Sequence, residues 1–269
     1  MSADRPKAPP ISGVVICLNE ADRIGRCLES LAFCDELVVV DSGSTDGTRD
    51  VARRYTEHTI EQPFLGYVKQ KNFALERAKH DWVICLDADE ALSPELRESL
   101  QAALARVDDR VSGYELDRVT HYLGVWHDHG EWYPDWQLRV FRRSRGRWAG
   151  MDPHDRVELD GRVERLSGRL LHWNYRSLSE HIQTTDRFSA RMAGSMQEAG
   201  VRFRLADLLL RPIARFFKGY VLRQGFRDGM AGFVVSAATA YYVFMKYAKL
   251  WELERGSDDR VGTLPTLRK

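Results

Sequence analysis

The sequence predicts an α/β fold: a doubly wound, mainly parallel sheet flanked by helices, with a helical, amphipathic C-terminal extension. Three observations lead there. Short apolar runs rich in β-branched residues alternate with stretches of helical spacing in the first third of the chain, the pattern of successive βαβ units. The middle, from Val111 to Asn174, holds five of the seven Trp among short mixed runs, and reads as irregular β structure and loops. From Leu178 onward the apolar residues recur at helical spacing among arginines.

Taken in order, Ile11–Leu18 reads as the first strand, and Glu20–Leu31 as a helix with Ile24, Leu28 and Leu31 on one face. Glu36–Val40 is a second strand, followed by a helix over Asp46–Tyr55 and another over Leu65–Lys79. Trp82–Leu86 is the next strand. Pro94–Val107 is the next helix, with Ser93 as its N-cap. Tyr114–Val119 and Gln137–Phe141 are strand-like runs of the middle region. Between Arg202 and Arg227 seven basic residues face one acid, Asp207, with leucines and aromatics interleaved; Gly229–Met245 then carries no charge.

Composition narrows the class. The 269 residues are 43% hydrophobic and 29% charged, which suits a globular protein. Forty Lys and Arg nearly cancel 39 Asp and Glu, so a uniformly basic nucleic-acid binder is not expected. Cys17, Cys27, Cys34 and Cys85 form no CxxC pair and read as reduced, mostly buried thiols. Residues 1–10 carry Asp4, Arg5, Lys7 and three prolines, not the apolar core of an export signal.

Ligands of doubly wound sheets bind beyond the carboxyl ends of the strands. Two motifs stand there. In Asp41-Ser-Gly-Ser-Thr-Asp-Gly-Thr48, Asp41 ends a strand, and its carboxylate is expected to point into the crevice and accept hydrogen bonds from a base or ribose. Gly43 and Gly47 permit tight turns. The same pattern would also serve a plain strand–turn–helix corner. In Asp87-Ala-Asp89-Glu90, two carboxylates at a strand end can converge on Mg2+ or Mn2+, whose shell substrate phosphates and water complete. A solvated acidic loop is the simpler reading of that motif alone.

Together with Val14–Glu20 and Lys69–Asn72, these motifs resemble the inverting family 2 glycosyltransferases of the GT-A fold. The resemblance implies that the Asn19-Glu20 loop and Asp41 hold the nucleoside, and that Gln70 and Lys71 lie close to the nucleotide. Asp87 and Asp89 would form the DxD pair, Asp89 nearest the metal. Trp132–Arg143, Pro153-His-Asp155, Leu170–Tyr175, Gly225–Gly232 and Tyr241–Glu252 resemble a narrower branch, the bacterial lipopolysaccharide-core glucosyltransferases. Many relatives have His-Glu where this chain has His154-Asp155.

An inverting transfer needs a carboxylate to take the acceptor's proton. Asp135 is the first choice as base and Glu131 the second. Trp132 and Trp136 could stack on sugar faces, and Arg139 is the candidate for phosphate contact. His154 is a candidate third metal ligand; His172, His121, His127 and His129 are weaker candidates. The implied domains are 1–10, a disordered segment; 11–175, the catalytic domain, with a nucleotide half 11–110 and an acceptor half 111–175; 176–256, a helical membrane-associating extension; and 257–269, a flexible tail.

The implied activity is transfer of a sugar, glucose in the first instance, from a UDP-sugar to a lipopolysaccharide inner-core or related glycolipid acceptor. It would be assisted by Mg2+ or Mn2+ at the cytoplasmic face of the inner membrane, with no nucleic-acid partner. Other readings are a transfer from ADP-heptose or to polyprenyl phosphate, a sugar-nucleotide-forming nucleotidyltransferase, and a non-catalytic membrane scaffold. The nucleotidyltransferase class generally has a Gly-rich loop after the first strand, where this chain reads Asn19-Glu20-Ala21-Asp22-Arg23.

Overall fold

A computed structural model describes residues 8–106, 108–151 and 154–256, without the side chains of Met151 and His154. The chain forms two compact units, Met1–His121 with Pro134–Asn174, and Tyr122–Tyr133 with Tyr175–Lys269.

The first unit opens with β1 (Ile11–Cys17), α1 (Ile24–Ser30), β2 (Glu36–Asp41), α2 (Thr48–Ala52), β3 (Thr59–Glu61), α3 (Tyr67–Leu75), β4 (Trp82–Asp87), β5 (Glu90–Leu92) and α4 (Pro94–Leu104). The long β6 (Val111–Tyr122) follows. After β7 (Val125–His127), which belongs to the second unit, come β8 (Trp136–Arg142), β9 (Gly146–Met151), β10 (His154–Leu159) and β11 (Arg162–Trp173). Eight strands lie in the order β3-β2-β1-β4-β8-β6-β11-β5, while β9 and β10 form a separate hairpin. Strands β1 to β4 run parallel, as does β11 beside β6; β8 is antiparallel to both its neighbours, and β5 to β11. The expected doubly wound, mainly parallel sheet is therefore present, with antiparallel insertions in its second half.

Strand alternation builds two apolar layers. Val15, Val39, Ile84 and Leu86 turn toward Leu28 and Leu31 near α1 and Leu96 and Leu100 of α4. Val14, Val38, Val40, Val83 and Cys85 turn to the opposite face, onto Ala74 and Leu75 of α3 and onto Trp148. Each fully buried aliphatic side chain contributes about 1.5–3 kcal/mol relative to exposure.

The helices are shorter than their spacing predicts. α1 begins at Ile24 because the backbone N–H of Glu20 donates to Thr48 Oγ1 (2.8 Å), holding residues 20–23 as a loop. α2 begins only after Gly47, whose φ of 89° is left-handed. Ser93 caps α4 as expected, accepting from the Leu96 N–H (3.1 Å), and also accepts from the Arg169 N–H of β11 (3.0 Å). Ser93→Ala should therefore cost about 1–2 kcal/mol, at or above the usual cap loss; urea denaturation measures it, and an unchanged midpoint would deny Ser93 this role.

The second unit contains α5 (Leu178–Glu198), α6 (Leu205–Phe217) and α7 (Gly229–Arg255), with a π-helical turn at Lys218–Leu222 and a 3-10 turn at Gly225–Asp228 between the last two. Its core joins Ala193 and Met196 of α5 to Val243, Tyr247 and Leu250 of α7. Residues 122–133 lie inside the segment 11–175 that the sequence assigns to one domain, yet they group with these helices. The Gly130 N–H donates to Arg223 O (2.9 Å), and a Cβ on Gly130 would stand 3.3 Å from the Gly225 Cα. Tyr122, His127, Trp132, Tyr175 and His181 form an aromatic cluster, in which burial pushes the His181 imidazole down to about 4.

Candidate active site

Parallel register places two acids on either side of β1. Cys17 lies opposite Asp41 of β2, and Ile16 opposite Asp87 of β4. Two strand spacings separate the flanking strands by about 10 Å at the carboxyl edge.

Asp41 departs from expectation. Its side chain is fully buried and turned onto its own loop, not into the crevice. Oδ1 accepts from the N–H groups of Gly43 (3.0 Å) and Ser44 (2.8 Å), while Oδ2 accepts from the Ser44 hydroxyl and lies 3.4 Å from Cys17 Sγ. The physical reason is local: Gly43, at φ 98°, reverses the chain and aims two backbone donors back at the strand end. Asn19, itself left-handed at φ 56°, bridges this loop: its N–H donates to Ser44 Oγ (2.8 Å) and its Oδ1 accepts from the Thr45 N–H (2.9 Å). Gln70 is buried, with Nε2 donating to Ser42 Oγ and Gln62 O (3.1 Å each). Asn19, Glu20, Asp41 and Gln70 thus shape one loop.

Asp87 anchors a buried network of charges. Lys71 Nζ lies 2.9 Å from Asp87 Oδ1 and 2.8 Å from Asp155 Oδ2, so the shorter carboxylate of Asp155 still reaches its cation. Arg139 Nη2 donates to Asp87 Oδ2 (2.9 Å) and to Glu90 Oε1 (2.8 Å). Glu90 is fully buried; its Oε1 also receives Arg118 Nη1 (2.9 Å), and its Oε2 the Asp87 N–H (3.1 Å). Burial opposes ionisation of Asp87, but Lys71 and Arg139 hold its carboxyl well below the usual carboxylate range. Glu90, against the same burial, is held low chiefly by Arg139. Arg139, expected to meet a phosphate, is instead 4% exposed and bound to two carboxylates. Its register explains this: Tyr114 pairs with Val140 and Glu115 with Leu138, so Arg139 is the bulged residue of β8 and its side chain turns inward.

Asp135 stands at the start of β8, at the same edge as the end of β4, because β8 runs antiparallel to β4. Its Oδ2 receives Arg118 Nε (2.7 Å), its Oδ1 accepts from Gln137 Nε2, and it remains partly exposed. Trp136 lies under the Arg165 guanidinium, 4.3 Å from its ring. Glu131 and Trp132 belong to the second unit. The Glu131 carboxylate is 1% exposed, ion-paired with Arg215 and packed over Gly219, so this second choice of base has no access to an acceptor hydroxyl as it stands. Trp132 sits in the aromatic cluster. The expected metal role of His154 concerns a side chain outside the described residues.

Residues 12–158 match the pattern of the family described as "Glycosyl transferase family 2". The chain is also 34% identical over 250 residues to the "Lipopolysaccharide core biosynthesis glycosyltransferase LpsC" of Rhizobium meliloti, covering 90% of this chain and 92% of that one. It belongs to glycosyl transferase family 2. An uncharacterised glycosyltransferase of Rickettsia typhi is 31% identical over 254 residues, covering 90% of this chain and 87% of its own length. The fold is shared with the mannosyltransferase PcManGT of Pyrobaculum calidifontis, solved with GDP-Man and Mn2+, at TM-score 0.52 and 17% identity over 93% of this chain and 90% of that one. This family 2 member is therefore a glycosyltransferase with the expected GT-A fold, and the nucleotidyltransferase and scaffold readings fall away.

The acidic turn fits a hard divalent cation taken through few protein ligands. Asp89 Oδ2 lies 3.5 Å from His172 Nε2 and 3.8 Å from Arg23 Nη1, both looser than the pairs that engage Asp87. Among the described residues no three His, Cys, Asp or Glu converge as an all-protein cage. Mg2+ typically takes one or two carboxylates and completes its shell with phosphates and water. His172, a weaker candidate in the sequence, is the imidazole beside Asp89; Thr120 Oγ1 lies 3.1 Å from its Nδ1 and orients the ring. Spacing gives no hint of this, because His172 and Asp89 meet only through the pairing of β11 with β5.

Proposed function

We propose that the chain transfers glucose from UDP-glucose to a lipopolysaccharide inner-core or related glycolipid acceptor, with inversion and with Mg2+ or Mn2+. The observation that carries this reading is the convergence of Asp87, Asp89 and Asp135 at one edge of the sheet, each with its own cationic neighbours. The name of the Rhizobium meliloti relative supports the acceptor class.

In this reading Asp135 takes the proton of the acceptor hydroxyl. The freed oxygen forms the new glycosidic bond at the anomeric carbon, on the face opposite the breaking bond to the diphosphate, and UDP leaves. Asp89, with His172 alongside, would hold the cation. When bound, the cation neutralises charge on the departing diphosphate. Asp87, fixed by Lys71 and Arg139, keeps the turn rigid, while the loop of Asn19, Glu20 and Asp41 shapes the nucleoside end. Trp136 offers a ring face to a sugar.

Thermal-shift measurements with Mn2+ and UDP-glucose, UDP-galactose, GDP-mannose or ADP-heptose test the donor, since a ligand binding only the folded form raises its stability. UDP-glucose should give the largest shift, and should release UDP only when a heptose-containing inner-core acceptor is added. A shift with ADP-heptose alone would overturn the donor assignment.

The membrane reading rests on α6. Leu205, Leu209, Leu210, Ile213 and Phe217 are 51–68% exposed, and no α6 side chain is buried. Exposed Arg202, Arg204, Lys218, Arg223 and Arg227 flank or follow this face. No described helix is long and apolar enough to cross a membrane, so the association is interfacial: apolar residues enter the surface while the basic ones meet anionic headgroups. The double variant Leu210→Asp/Ile213→Asp should weaken binding to phosphatidylglycerol vesicles about tenfold or more, given the apolar area withdrawn. Co-sedimentation equal to wild type, or binding indifferent to salt, would count against this.

A further inference from the structure

The bridge between the acidic turn and Asp135 is a single side chain that the sequence does not single out. On β6 Arg118 faces Asp135 across the first rungs of β8: Asp117 pairs with Trp136, and the Arg118 N–H donates to Asp135 O (2.9 Å). The side chain repeats the contact, Nε to Asp135 Oδ2 at 2.7 Å, and sends Nη1 to Glu90 Oε1 at 2.9 Å. Glu90 lies two strands away, since β11 separates β6 from β5, with Leu170 opposite Arg118 and His172 opposite Glu90. Spanning that diagonal takes a long arm with donors at both edges of a rigid plane, as a guanidinium has and an ammonium does not. The far end is equally fixed. Fully buried Glu90 binds Arg139 through the same oxygen and the backbone of Asp87 through the other.

We infer that Arg118 is the positioning residue that sets Asp135 against the donor-binding turn, acting through Glu90. This rests on the reading of Asp135 as the base. Arg118 itself contacts neither donor nor acceptor in this scheme and acts only through Asp135. It fixes the angle at which the carboxylate meets the acceptor hydroxyl, and small misplacements of such a group cost rate and not donor affinity.

The test compares Arg118→Gln, Arg118→Lys, Asp135→Asn and the double variant Arg118→Gln/Asp135→Asn. Turnover, donor KM and the stoichiometry of UDP binding are measured in the full chain with Mn2+. Arg118→Gln should lower kcat about tenfold to a hundredfold, with donor KM and UDP stoichiometry unchanged. Arg118→Lys, able to reach one partner at a time, should recover part of the loss. The double variant should be no slower than Asp135→Asn alone. Wild-type kcat in Arg118→Gln, or losses that multiply fully in the double variant, would overturn the inference. If Arg118→Gln fails to fold, Arg118→Lys decides alone: a lower kcat at unchanged KM supports the role, and an unaltered kcat removes it. Should Asp135→Asn retain turnover, the base assignment falls first, whatever Arg118 does; a silent Arg118→Lys beside an inactive Asp135→Asn overturns only the positioning role.

Discussion

Replacing Asp135 by Asn is expected to lower turnover by about 10²–10⁴-fold, the usual contribution of a positioned general base, while UDP binding stays at wild-type strength. The substitution keeps the shape of the side chain and an oxygen for the Arg118 Nε donor, and the surrounding strands β6 and β8 do not depend on its charge. What it removes is the capacity to hold a proton taken from the acceptor. The loop around Asn19 and Asp41, proposed to shape the nucleoside end, is built from other elements, β1 and β2 with the turn between Ser42 and Thr48, so donor binding should be preserved. UDP titration by calorimetry with Mn2+, alongside a UDP-release assay with acceptor, separates the two effects. Near-normal turnover would remove Asp135 from the chemistry. Loss of UDP binding would make it a structural residue of the whole site.

The strand ends were legible because a parallel strand buried on both faces reads as a continuous apolar run. An apolar run rich in β-branched residues stops at an acid, as in Val38–Asp41 and Val83–Asp87. The direction of the side chains was not. Asp41 folds onto Gly43 and Ser44, and Lys71 and Arg139 turn to carboxylates, for a reason that spacing does not express: buried cations need partners, and the nearest partners come from other strands. β5 was hidden because it is three residues long and begins on Glu90, an acid that reads as part of a solvated loop. Glu131, the second choice of base four residues from Asp135, ends under Arg215 in the second unit, a partner 84 positions along the chain. For Lys71, Arg139 and Glu131 the missing information is a long-range contact, set by register and by which face of a strand a residue occupies; for Asp41 it is the local reversal at Gly43.

Glu90→Gln is expected to cost about 3–5 kcal/mol at neutral pH, the usual consequence of removing one member of a buried charge set. Arg118 and Arg139 both converge on Glu90 Oε1, Glu90 has no exposed surface, and Arg139 is itself buried, so water cannot replace the lost carboxylate there. A neutral amide retains the shape but leaves two guanidiniums facing a weak acceptor, and its NH2 can point at one of them. The pH dependence follows from the direction of the shift. Despite burial, Arg139 and then Arg118 hold the Glu90 carboxyl below its ordinary value in the folded protein. A depressed folded pKa gives stability that is present above the unfolded value, about 4.3 for Glu, and is lost as pH falls through the folded one. The wild type should therefore lose stability on acidification below about pH 4. The Gln variant, which has no proton to gain there, loses less, and the gap between them narrows as pH falls. Urea denaturation of both proteins in EDTA at pH 7 and pH 3 reads this directly. A constant gap at both pH values would mean that the loss comes from packing and not from the charge of Glu90.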